Sequence, residues 1–149
     1  MPYCASRPTL QSTLYVFAVS DEGAVWHYDG TAWTYMVDWS VGLDAHYGIW
    51  GSGPNDVYAV GGSGQIMHYD GTAWSPQHRA VSTAAVNGLW GSGPADIYGV
   101  TGGGTILHDD GTGWQAMDSG TQGLSSVWGS GPANVFAVGV AGTVLHCDG

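Results

Sequence analysis

Short apolar runs rich in Val, Ile and aromatic residues alternate along the chain with clusters of Gly, Asp, Ser and Pro. No window carries the i, i+3, i+4, i+7 spacing of an amphipathic helix, so strands and tight turns are predicted throughout. The first runs are 14–19, 24–28 and 33–37. The turn Asp29-Gly30-Thr31 separates the last two, and Asp-Gly between apolar runs is a strong hairpin signal. The next segment reads as four strands: 47–50, 57–60, 65–69 and 74–77, with turns at 51–55, 61–64 and 70–72. Several strands lack in–out alternation; Val57-Tyr58-Ala59-Val60 is apolar on both faces. Such a sheet needs cover on both sides.

The four-strand pattern repeats. Trp50-Gly51-Ser52-Gly53-Pro54 returns at Trp90 and at Trp128, and His-x-Asp-Gly begins at His27, His68, His108 and His146, in steps of 41, 40 and 38 residues. Repeats of this length that cannot bury their own faces must bury them against one another. Small meander sheets stacked face to face around an axis do this, which predicts an all-β chain of β-propeller type. Blades are expected near 14–37, 47–78, 88–118 and 126–149, in one domain over 1–149. The first lacks its opening strand and the last its closing one. Residues 1–13 match no repeat, and Pro2 and Pro8 disfavour helix there. Within them, 2–6 could form an edge strand that closes the last blade. The repeat resembles propeller blades of the Asp-box and kelch type over 14–149. It departs from the Asp box: His stands where that motif has Ser or Thr, and Asp touches Gly directly.

Composition narrows the partners. The net charge is −10, with Arg7 and Arg79 as the only Lys or Arg residues. Phosphate backbones require a basic footprint, so no nucleic-acid partner is expected; a neutral or cationic ligand fits the charge. No apolar run approaches the roughly 20 residues of a membrane span. No signal peptide is visible at the N-terminus, and a secreted or cell-surface location is expected. Cys4 and Cys147 stand near opposite ends. They either form a disulfide that clips those ends together, worth about 4–5 kcal/mol by loop entropy, or remain two thiols.

The repeated chemistry reads as structural. His27, His68, His108 and His146 recur at one radius on separate blades, too far apart to share a metal held at about 2.0–2.2 Å; no metal or cofactor is expected. They read as packed rings bonded to neighbouring turns. Asp29, Asp70, Asp110 and Asp148 read as hairpin caps, and Asp56 and Asp96 likewise. Trp50, Trp90 and Trp128 on first strands, and Trp33, Trp74 and Trp114 on fourth strands, read as packing between blades. Positions that differ between copies are free to serve a ligand. They lie in the connections between blades and in the second-to-third strand turns: Asp21, Glu22, Trp39, Asp44, His46, Tyr47, Arg79, Asn87, Asp118 and Gln122. The resemblance implies that these two loop sets share one face, where related propellers bind ligands.

Enzyme readings fit poorly. Two arginines are too few for a sialidase-like carboxylate site, and a glycosidase needs two facing carboxylates, for which only Asp44 with Glu22 or Asp118 offers itself. The expected function is a non-enzymatic binding or scaffold module, lectin-like for carbohydrate or specific for protein. The alternatives are a fragment of a propeller glycoside hydrolase or lyase, or a purely structural propeller, engineered or truncated. Self-association, as a dimer completing a larger ring, is expected to cover the open ends.

Overall fold

The computed structural model describes residues 15–20, 22–38, 46–79 and 84–148, with only the backbone at 37, 38, 46, 78 and 79. Fourteen strands lie in these residues: β1 Val16–Val19, β2 Ala24–Tyr28, β3 Trp33–Asp38, β4 His46–Gly53, β5 Asp56–Gly61, β6 Gln65–Tyr69, β7 Trp74–Arg79, β8 Val86–Gly93, β9 Asp96–Thr101, β10 Thr105–Asp109, β11 Trp114–Asp118, β12 Leu124–Gly131, β13 Asn134–Gly139 and β14 Val144–Cys147. They form four antiparallel meanders in chain order: β1–β3, β4–β7, β8–β11 and β12–β14. The expected all-β, part-propeller architecture holds, with three strands in the outer two sheets. Among the described residues no helix is long and apolar enough to cross a membrane.

The first strands differ from expectation. β4 runs to Gly53, three residues past its predicted end, so Gly51-Ser52-Gly53 is strand and not turn. The register pairs Gly51 with Val57 and Gly53 with Asp56, leaving Ser52 as an extra residue, a bulge that β8–β9 and β12–β13 repeat. A bulge re-aims its side chain, and Ser52 turns its hydroxyl onto the Asp56 carboxylate. Each second-to-third strand turn ends on a glycine in the left-handed region: Gly23, Gly64, Gly104 and Gly142. A side chain there would be strained.

The sheets stack through opposite faces of successive meanders. Tyr58, Val60 and Ile66 of the second sheet, with Trp50, meet Val86, Ile97 and Leu107 of the third, with Leu89 and Trp114. The other face of the third sheet, carrying Trp90, Tyr98, Val100 and Ile106, meets Leu124, Val127, Val135, Ala137 and Leu145 of the fourth. Each fully buried aliphatic side chain stabilises by roughly 2 kcal/mol. The first strands approach most closely: a Cβ added at Gly48 would stand 3.4 Å from Gly88 Cα, and one at Gly88 3.6 Å from Ser126 Cα. At the same seam the Trp50 ring covers Gly91 and the Trp90 ring covers Gly129, where an added Cβ would lie 2.7 Å from indole carbons. Small residues on β4, β8 and β12 are therefore what lets the sheets converge.

Candidate functional site

One end of the stack is uniform. His68 Nε2 donates to Asp56 Oδ1 at 2.7 Å, and its ring stacks on Tyr58 with centroids 4.3 Å apart. His108 repeats this with Asp96 at 2.9 Å and Tyr98 at 4.2 Å. His146 does so with Asn134 at 2.8 Å and Phe136 at 4.4 Å. A serine completes each set: Ser52 and Ser92 donate to the carboxylates, and Asn134 donates to Ser130. Thus Asp56 and Asp96 do more than cap a turn: they join the first hairpin of a sheet to its third strand. The constant separation of 12 residues, Asp56 to His68, Asp96 to His108 and Asn134 to His146, was the sequence signal for the pairing. The first sheet lacks the latch. Tyr15 occupies the matching register and stacks on His27 at 5.5 Å, and His27 Nε2 is buried without a hydrogen-bond partner among the described residues.

Because Asn134 already fills the acceptor position in the fourth sheet, Asp96→Asn is expected to leave stability nearly unchanged. Asp96→Ala leaves His108 and Ser92 unpaired and should cost about 1–2 kcal/mol; urea titration of both variants checks this. The Tyr58 hydroxyl is pushed up to about 12 by burial, then by the nearby charges of Asp56 and Asp109. A raised tyrosine favours the folded state fully below its ordinary value of 10, and that contribution disappears as pH rises toward 12. Alkaline unfolding is therefore expected between those values, with late tyrosinate absorbance that Tyr58→Phe removes.

The Asp-Gly turns lie at this end too. Asp70 Oδ1 accepts from Thr72 N and Ala73 N at 2.8 and 2.9 Å and from the Thr72 hydroxyl at 2.6 Å. Those bonds, the hydroxyl's foremost, hold its carboxyl down to about 2. Asp29 binds Thr31 N and Ala32 N in the same way, and Asp110 binds Thr112 N. Trp74 and Trp114 are half-buried and Trp33 is exposed. The Trp114 indole N–H is buried without an acceptor among the described residues.

The other end is assembled from unlike connections. Gly102 N in the turn after β9 donates to Ala85 O in the connection before β8, at 3.0 Å. Ser119, just past β11, donates from its N–H and its hydroxyl to Gly104 O. Val140 N donates to Gly123 O at 3.0 Å. These bonds hold second-to-third strand turns against the connections that join sheets. Tyr47 is exposed here, beside the start of β4, and Glu22 and Gln122 are exposed in their loops. Asp118 is exposed, and its Oδ1 accepts from Gly120 N at 2.9 Å. Asn87 reaches into the next sheet, donating to Leu124 O at 2.7 Å, so it serves the seam between sheets. His46 opens β4 opposite Gly61, and Arg79 closes β7 opposite Gln65. Asp21, Trp39 and Asp44 lie outside the described residues, as does Cys4; Cys147 is an exposed thiol at the end of β14.

Among the described residues, grooves lie beside both outer sheets, each of which shows three strands. One, about 540 Å³, lies between β1 and β4 and is lined by Tyr15, Phe17, Ile49, Trp50 and Gly51. The other, about 250 Å³, lies between the third and fourth sheets beside β14, against Met117, Val135 and Leu145.

No protein-family model matches the chain, and no curated protein matches it in sequence. Solved structures do match in fold. A structure titled YCF48 bound to D1 peptide superposes with a TM-score of 0.64 at 16% identity, over 97% of this chain and 52% of that one. YCF48 from Cyanidioschyzon merolae gives 0.67 at 13% identity, over 94% of this chain and 52% of that one. These likenesses show the propeller fold, and the chain spans about half the length of each.

Proposed function

We propose that the chain is a non-enzymatic protein-binding module that holds a neutral or basic peptide segment on the end built from unlike connections. The observation that carries this reading is how the repeat divides its residues. In the second and third sheets its shared His, Asp, Ser and Tyr residues are engaged in latches and turns, and Trp50 and Trp90 in seams. Exposed, unshared side chains such as Tyr47, Asp118 and Gln122 gather at the other end. A propeller of the same fold solved with a peptide supports it. The charge of −10 favours basic or neutral partners and speeds their encounter. A carbohydrate site would rest on Trp39, Asp44, His46 and Tyr47, and has no comparable support.

Selection from a random peptide library, run beside a glycan array, tests the reading. Enriched peptides should carry Lys or Arg and should lose most of their affinity for Tyr47→Ala and Gln122→Ala proteins whose melting is unchanged. Glycan binding without peptide enrichment, or turnover of a glycan, would contradict it.

A further inference from the structure

The outermost sheets present faces that the inner sheets bury. In the second sheet, Val60 and Ile66 are covered by the third; in the third, Val100 is covered by the fourth. The fourth sheet carries the same register positions as Val138 and Val144, and Trp128 stands where Trp50 and Trp90 stand. Among the described residues nothing covers them: Val144 is 66% exposed where Ile66 is 0%, and Trp128 is 60% exposed. At the opposite end, Trp26 of the first sheet occupies the position of Met67 and Leu107, both buried, Leu107 in the seam with the second sheet. Trp26 is 40% exposed, packed edge-on against Tyr35, with Val16 exposed on the same face.

We infer that the open face of the fourth sheet docks on the open face of the first sheet of a second copy, and that two copies close head to tail into one ring with two such seams. Two features of the chain select this occupant. The two faces are the two halves of a seam the molecule already makes twice, a Trp-and-valine face against a mixed apolar face, so the chemistry of the match is given by the repeat. Closing head to tail across a two-fold axis satisfies both open faces at once, whereas pairing like faces leaves one uncovered. Each copy carries a charge of −10, while the positions that would meet, Val16, Trp26, Trp128, Val138 and Val144, are apolar. Salt should therefore strengthen the association by screening repulsion between copies.

Sedimentation equilibrium of the chain at micromolar concentration tests the inference. A mass of two chains is expected, with the dimer fraction rising with salt. Trp128→Glu and Trp26→Glu each strike one face at an exposed position, so each should give a folded monomer with an unchanged far-ultraviolet spectrum. Mixing the two variants should restore a dimer, because each retains the face the other has lost. A monomeric parent chain, an open series of larger masses, or a Trp26→Glu protein that still dimerises while Trp128→Glu does not, would each overturn it.

Discussion

Trp90→Ala is expected to destabilise the chain by about 3 kcal/mol or more, and Trp128→Ala by less than about 0.5 kcal/mol, though both residues sit in the same Trp-Gly-Ser-Gly-Pro context. The difference lies in the neighbour that each ring meets. The Trp90 ring lies over Gly129 and joins the core built from Val100, Leu124, Val127 and Val135. Removing it opens a cavity at the root of that core, and close-packed neighbours collapse only partly into such a space. Trp128 has water where Trp90 has a sheet. Guanidinium titration at dilution, where association does not contribute, measures both. Because stacked repeats depend on nearest-neighbour seams, Trp90→Ala should also release the amides of β12–β14 to exchange before those of β4–β10. Equal losses for the two variants would mean that the seam does not distinguish them.

The second large effect concerns a glycine present in every copy. Gly104 has φ of +86°, and a Cβ there would stand 2.2 Å from the carbonyl oxygen of Thr121. Gly142 occupies the same turn in the fourth sheet with φ of +76° and no atom within 4 Å of an added Cβ. Gly142→Ala therefore meets only the left-handed backbone, at about 1 kcal/mol. Gly104→Ala meets that and a backbone oxygen that can move only by breaking the contact between the turn and the 119–123 connection. About 3 kcal/mol or more is expected when the strain and overpacking contributions combine. Thermal melts of the two variants should separate by several degrees, with Gly104→Ala the lower. Since the affected contact holds the end proposed to bind peptide, Gly104→Ala should also weaken any selected peptide more than Gly142→Ala does.

Much of the architecture was legible because the chain states it several times. Asp-Gly turns, Gly-rich turns and Ser-Gly-Pro turns at constant spacing marked the strands, and Val57-Tyr58-Ala59-Val60 announced a sheet covered on both faces. Other features were hidden for physical reasons. Gly51-Ser52-Gly53 has turn composition, yet a bulge keeps it in β4 and sends Ser52 to Asp56. Asp56 and Asp96 read as local caps because their histidine partners are distant in sequence and reach them only after the third strand folds back. Asn87 belonged to the variable set, and its amide turned out to tie neighbouring sheets together. The candidate binding end was the least legible part. Unlike connections have no periodicity to read, and their placement rests on backbone bonds such as Val140 N to Gly123 O that no residue type announces. Nor could the sequence separate Trp128 from Trp50 and Trp90, since identical residues differ there only in their neighbours.

The second and third sheets, and the third and fourth, meet with the indole of one over the glycine of the next, and both seams depend on that contact. A double-mutant cycle on Trp90 and Gly129 measures it. Gly129→Ala alone places a methyl 2.7 Å from the Trp90 ring and should cost about 1–3 kcal/mol. In a Trp90→Ala background that cost should vanish, giving a coupling of at least about 1 kcal/mol. Additive losses, within about 0.3–0.5 kcal/mol, would mean that the two residues do not touch and that the sheets do not stack in this way.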